Sequence, residues 1–295
     1  MNRSYLYVPG DRPDRLAKAA GAAMSAGGAD ALIADLEDGV AASAKDAARA
    51  AVTGFLRELS DRSGAQERPR PPEVLVRVNS DGRLGDDLSA VVAAGGSAVY
   101  LPKADAASLR AVDLLLADLE GDRRGSTAVV ALVESARGVL DAEELAAHPR
   151  VRNLAIGEAD LCAELGIDPS PDGRELWAVR SALVVASAAA GIDAPTGPVS
   201  TDFSDLDALR ESTTALRRGG FGARSAIHPA QLPVLNDVFT PTEDEVAEAR
   251  RLVELFEASV ARGDGACVDD RGRMVDEAVV RSARRVLGRA GHGPA

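Results

Sequence analysis

Two apolar runs in this chain each lead into a carboxylate. Ala128-Val-Val-Ala-Leu-Val133 is followed by Glu134, and Leu154-Ala-Ile156 is followed, across Gly157-Glu158-Ala159, by Asp160. A continuous apolar run of this length suits a strand buried on both faces. An acid just past such a strand stands on the rim of the sheet. Two rim acids make a seat for a hard divalent cation, because Mg2+ takes oxygen ligands and completes its shell with water and substrate oxygens. Charged residues recur at the same place on neighbouring runs. Asp35, Glu37 and Asp38 follow Ala31–Ala34, Arg77 closes Glu73–Val78, and Lys103 follows Ala98–Leu101. One rim acid alone is most often a helix cap or an ion-pair partner; charges on five consecutive runs ask for more than capping. A cation held by Glu134 and Asp160 would chelate a 2-oxo acid and polarise its carbonyl. Arg77, a permanent cation with forked donors, would stabilise an enolate or alkoxide oxygen while a carbon–carbon bond breaks. Such chemistry needs no Schiff base, so Lys103 is not required as a nucleophile.

The elements that must hold these residues can be read from the apolar periodicity. Eight short apolar runs are predicted as strands: 5–8, 31–34, 73–78, 98–101, 128–133, 154–156, a weak candidate at 194–199 with two prolines, and 221–227. Amphipathic stretches between them are predicted as helices, among them 12–26 with Pro13 in its first turn and 43–59 with Ser43 as N-cap. Strict alternation of strand and helix implies a parallel sheet. Eight such units in about 240 residues predict a (β/α)8 TIM barrel, whose active groups stand at the carboxyl ends of the strands. A doubly wound open sheet is the competitor, and no Gly-x-Gly-x-x-Gly follows the first strand in its support. Residues 1–240 are therefore assigned to the barrel. Residues 241–295 are assigned to a helical extension with a charged helix at 242–261, a Gly/Asp-rich loop at 262–273 and a last helix at 275–289. The Pro-, Arg- and Ser-rich stretch 60–72 reads as an exposed connection.

Bulk properties narrow the function. The formal net charge of −12 speaks against nucleic acid, and an aromatic content of 3% speaks against base stacking. Cys162 and Cys267 lie far apart and form no metal or redox motif, and His148, His228 and His292 contain no His-x-x-x-His pair. No run approaches the roughly 18 apolar residues of a membrane span. A cytoplasmic enzyme with free thiols is the expectation.

Seven segments in order carry a resemblance: Arg3-Ser-Tyr-Leu-Tyr-Val-Pro-Gly-Asp-Arg-Pro13, Asp35-Leu-Glu-Asp38, Arg77-Val-Asn79, Leu101-Pro-Lys103, Val133-Glu-Ser135, Gly157-Glu-Ala-Asp160 and Ile227-His-Pro-Ala-Gln231. From residue 3 to about 290 the chain resembles the citrate lyase β-subunit-like and malyl-CoA lyase-like branch of the HpcH/HpaI aldolase family. The resemblance implies a Mg2+-dependent lyase, with Mn2+ as a substitute ion. It would cleave malyl-CoA, citramalyl-CoA or citryl-CoA to acetyl-CoA and an oxo acid. It implies Glu134 and Asp160 as metal ligands, Arg77 at the reacting carbonyl, and Glu37 and Asp38 as acids that bind the metal's waters. Arg12 and Lys18 fall where the family meets the phosphates of CoA, Lys103 on the substrate side, and Ile227 and Pro229 where its backbone lies near the adenine. Asp276, in Met274-Val-Asp276, matches an aspartate that acts as acid/base in a neighbouring subunit's site, which implies a homo-oligomer, a trimer or hexamer. The residue's own reading is a charge favoured at a helix N-terminus.

Departures from the family pattern are Glu277-Ala278 where proline is frequent, Arg224 where lysine is usual, and a longer 60–72 stretch. Four other readings stay open: a malyl-CoA thioesterase, a malate-synthase-like enzyme, a CoA-independent 2-oxo acid aldolase, and a subunit active only with partners.

Overall fold

A computed structural model describes residues 2–25, 27–64 and 72–290, the side chains of 62–64 excepted. The eight barrel strands are β1 (Ser4–Pro9), β2 (Ala31–Asp35), β3 (Glu73–Arg77), β4 (Ala98–Leu101), β5 (Ala128–Val133), β6 (Val151–Ile156), β7 (Asp193–Gly197) and β8 (Ala223–Ala226). They pair in parallel in sequence order, and β8 closes onto β1. The chain thus folds as the (β/α)8 barrel that strand–helix alternation predicts.

Period-two alternation decides what faces the barrel axis. Tyr5, Ala31, Ile33, Leu75, Ala98, Tyr100, Val130, Leu132, Ala155 and Ala223 form one buried cluster in the interior. The residues between them, such as Leu32, Val76, Val99 and Val129, are equally buried on the helix side of the wall. Strands buried on both faces account for runs that are apolar throughout. β7 takes one of its two prolines, Pro195, inside the strand and ends at Gly197, so that Pro198 lies just outside it.

Three local expectations are corrected. Ser43 sits inside a short 3-10 turn, Ala42–Ala44, and caps nothing; the helix starts at Lys45. That helix runs to Gly64, so the first five residues of the expected 60–72 connection are helical, while 65–71 lies outside the described residues, as does His292. The 262–273 loop contains part of a small antiparallel hairpin, β9 (Cys267–Val268) with β10 (Met274–Val275).

Contacts divide the chain into Asn2–Asn236, which holds the barrel, and a second unit from Asp237. In the second unit Thr242 opens the helix Glu243–Val260 with a capping box, its hydroxyl accepting from Glu245 N at 3.1 Å. Phe256, Val275 and Val280 form its small core, which joins that helix to the hairpin and to the helix Glu277–Ala290. Among the described residues no helix is long and apolar enough to cross a membrane.

Candidate active site

The parity that buries Ile33 and Leu75 inside the barrel places Asp35 and Arg77 one step higher on the same face, where they are register partners. Arg77 Nε and Nη2 each donate to one oxygen of Asp35 at 2.7 Å. The guanidinium lies over the Tyr7 ring, 5.0 Å from its centroid, and Tyr7 meets Tyr100 edge-on. Burial opposes the Arg77 charge, but the hydrogen bonds and charge of Asp35 outweigh it and raise its pKa. Arg77 is thus a fixed cation with a fixed orientation. Asp35 also accepts from Glu37 N at 2.9 Å and Gly39 N at 2.8 Å. A Cβ on Gly39 would lie 2.3 Å from Asp35 Oδ2, so this turn admits no side chain there.

The remaining nitrogen of Arg77, Nη1, lies 3.0 Å from Glu37 Oε2 and 3.8 Å from Asp38 Oδ2. The Glu37 contact is an ion pair out of hydrogen-bond alignment, which leaves Oε2 buried without a donor. Glu37 Oε1 faces Lys103 Nζ at 3.3 Å. Burial pushes the Glu37 carboxyl up and Asp38 adds to the rise, against the pull of Arg77 and Lys103.

Glu134 is 4% exposed, and its Oε1 accepts from the backbone N–H of Lys103 at 2.8 Å. Lys103 is the one non-glycine residue with positive φ, 49°, among the described residues; that twist aims its amide at the carboxylate. On the other side Gly157 makes room: a Cβ there would stand 2.6 Å from Glu134 Oε2. Burial pushes Glu134 up to about 7; the charges of Glu37 and Asp160 add to the rise, and the Lys103 amide and Arg77 resist it. Asp160 is not on the strand end. The helix Glu158–Leu165 begins two residues earlier, so Asp160 sits exposed in its first turn, where the helix dipole favours its charge.

Arg77, Glu134, Asp160, Asp38 and Ile227 line one cavity of about 430 Å3 at the carboxyl ends of the strands, together with Tyr7, Tyr100 and Ser225. Its residues fit a divalent cation. Glu134 and Asp160 face the same cavity, and burial, with the charges of Glu37 and Asp160 adding to it, pushes the Glu134 carboxyl up to about 7. A third acid, Glu37, keeps an unpartnered buried oxygen. No group of three or more His, Cys, Asp or Glu side chains is placed to hold a metal among the described residues. Two protein ligands with water and substrate oxygens match Mg2+ better than the closed tetrahedral sites of Zn2+.

Other expected residues stand elsewhere. Arg12 is exposed at the start of the helix Pro13–Ala23, 3.5 Å from Asp14, and Lys18 is exposed farther along it. Neither lines the cavity, nor do Lys103 and Pro229. His228 stacks on Phe203 at 4.8 Å and accepts from Ala230 N through Nδ1. Asp276 belongs to the second unit, where its Oδ1 accepts from Ala278 N and Val279 N, both at 3.0 Å, as an N-cap does. Tyr7, Tyr100 and Gly157 are site components to which sequence reasoning gave no role, and Asp35 was read as a rim acid but not as the partner of Arg77. The period-two pattern through 31, 33 and 35 was the available signal for Asp35.

The HpcH/HpaI aldolase/citrate lyase family model matches residues 3–229. A (3S)-malyl-CoA thioesterase of Cereibacter sphaeroides is 37% identical, over 98% of this chain and 94% of its own length. The citrate lyase subunit beta of Escherichia coli is also 37% identical, over 98% and 93% respectively. Among solved structures, CitE of Mycobacterium tuberculosis in complex with magnesium, acetoacetate and coenzyme A superposes with a TM-score of 0.74 at 33% identity, covering 98% of each chain.

Proposed function

This chain belongs to the HpcH/HpaI aldolase/citrate lyase family, and from that premise we propose that it is a Mg2+-dependent CoA-ester lyase. Its reaction splits a 3-hydroxyacyl-CoA of the malyl-, citramalyl- or citryl-CoA type into acetyl-CoA and an oxo acid. One observation carries the reading: Glu134 and Asp160 share a cavity with the oriented cation of Arg77. Glu134 and Asp160 would hold the ion, and by the resemblance Asp38 and Glu37 would take hydrogen bonds from its waters, Asp38 from the cavity lining and Glu37 from behind it beside Arg77 and Lys103. Bound there, Mg2+ supplies Lewis acidity toward a carbonyl and chelates the oxo acid.

The chain's own residues do the rest. The substrate hydroxyl gives up its proton as the bond between its carbon and the thioester's α-carbon breaks. The electron pair passes to the thioester as an enolate, which then takes a proton to become acetyl-CoA. Arg77 faces the developing oxyanion with a charge that Asp35 and Tyr7 keep from turning away. The apolar lower wall, Leu132 and Ile156, keeps bulk water from the enolate. By its resemblance Asp276 is the acid/base, acting from a neighbouring subunit of a trimer.

A second reading is favoured by the thioesterase name of the Cereibacter relative: hydrolysis of the thioester on the same site. One experiment separates the two. The protein is incubated with Mg2+ and each of malyl-, citramalyl- and citryl-CoA, and products are identified by mass. Acetyl-CoA plus an oxo acid establishes the lyase; free CoA plus the intact hydroxy acid establishes the hydrolase. No turnover of any of the three removes both.

A further inference from the structure

A second cavity, of about 450 Å3, shares Glu158, Ala159, Val199 and Thr201 with the first but lies toward the helix layer, between the 169–173 loop and the helix Leu206–Arg218. Arg224 of β8 lines it. The alternation that turns Ala223 into the barrel turns Arg224 out of it, and the side chain is only 5% exposed. Its Nε donates to Pro198 O at 2.9 Å, and Nη1 to Ser212 Oγ and Thr213 Oγ1 at 2.8 Å and to Leu209 O at 3.5 Å. All four acceptors are neutral. Nη2 has no partner among the described residues and keeps access to the cavity.

The nearby carboxylate is already committed. Glu158 gives both oxygens to Arg180, at 2.6 and 2.8 Å. Burial therefore pulls Arg224 down to about 10; Glu158 resists the fall and Arg180 adds to it. A desolvated cation with neutral partners is expensive, and an anion on its open nitrogen offsets the cost. The rest of the lining selects the anion. Leu176, Val199, Leu209 and Leu216 offer apolar surface. Asp172, Asp202 and Asp205 at the exposed rim bond to their own loops and repel a dianion such as phosphate. A single carboxylate on a short apolar tail meets both the cation and the walls.

We propose that this cavity is a second ligand site, taking a small monocarboxylate with an apolar tail through Arg224 and independent of the metal seat. The sole tryptophan, Trp177, reports on it, because Arg180 stacks over its ring at 5.0 Å. The full-length protein is titrated with butyrate in EDTA, following Trp177 fluorescence and ligand-observed NMR, with 1-butanol and inorganic phosphate as parallel probes. The expected result is saturable binding at millimolar butyrate, none of 1-butanol, weaker binding of phosphate, and a loss of about tenfold or more in Arg224→Gln. Absence of saturation in the wild type, equal binding of 1-butanol, or unchanged binding in Arg224→Gln overturns the site. Phosphate binding as tightly as butyrate overturns the monocarboxylate class. Should Arg224→Gln not fold, Ala208→Phe fills the cavity from an exposed helix face without removing an Arg224 contact, and undiminished butyrate binding there overturns the proposal equally.

Discussion

The two ends of β5 and β6 treat a buried acid in opposite ways. At the amino-terminal end, Glu120 receives Arg150 at 3.0 and 2.9 Å and the N–H groups of Gly125 and Thr127, each at 2.7 Å. Asp113 takes Arg150 Nε. Burial alone would raise Glu120, but these donors hold it at about 2. At the carboxyl end, Glu134 is just as enclosed, receives one backbone N–H, faces two other acids and is pushed up to about 7. One end is closed by pairing and serves the fold. The other is left with surplus negative charge, which a cation relieves. The cost of that surplus is the reason to read the carboxyl end as a site.

This contrast can be broken at its strongest point first. Glu134→Gln should lower kcat by at least about 1,000-fold with Mg2+ present, yet raise Tm in EDTA at pH 8, because it removes an uncompensated buried charge. Steady-state assays and thermal melts check both halves; a fall in Tm would place Glu134 with the structural acids. Glu120→Gln should behave in reverse, losing about 1–3 kcal/mol by leaving the buried Arg150 with Asp113 as its remaining counter-ion, while folded molecules keep their kcat. Urea unfolding paired with assays at low temperature reads this. Arg77→Lys should reduce kcat by about 100-fold with a small change in KM, since a point charge cannot span Asp35 and the substrate together.

The smallest effect is in pH. In EDTA, folded Glu134 keeps its proton to about 7, whereas the unfolded chain releases it near the ordinary value of 4.5. The native state binds the extra proton across that window, so its stability falls as pH rises from 4.5 to 7, by on the order of 2–3 kcal/mol. Glu120, lowered to about 2, contributes the other way: its stabilisation is complete above 4.5 and is lost as pH falls toward 2. Urea melts across pH with and without Mg2+ separate the two, because the ion should flatten only the upper window.

Much of this was legible in the chain. Runs such as Ala128–Val133 are apolar on both faces because one packs the interior and the other the helices, and this made β5 readable to the residue. The rim charges were legible for the same reason: each interrupts an apolar run. Asp35 was visible as an acid but not as the partner of Arg77, because that depends on the β2–β3 register, a long-range fact. Asp160 was expected at the rim past a strand that does end at Ile156, but it lies in the first turn of the helix that begins at Glu158, just after Gly157 leaves room for Glu134. The two-residue strands β9 and β10 are too short to show alternation. The Arg224 cavity was hidden altogether: a lone arginine in a strand carries no mark of lacking a counter-ion.

The twisted backbone at Lys103 has a consequence for how this protein responds to substitution. The donor that meets Glu134 belongs to the main chain, so replacing the lysine with almost any residue leaves that donor in place. A side-chain scan would score position 103 by its ammonium alone and pass over the amide beneath it. Proline is the exception: it removes the N–H and cannot adopt a φ of 49°. The acid's nearest partner is therefore written in the path of the loop, where the genetic code can reach it with a single amino acid.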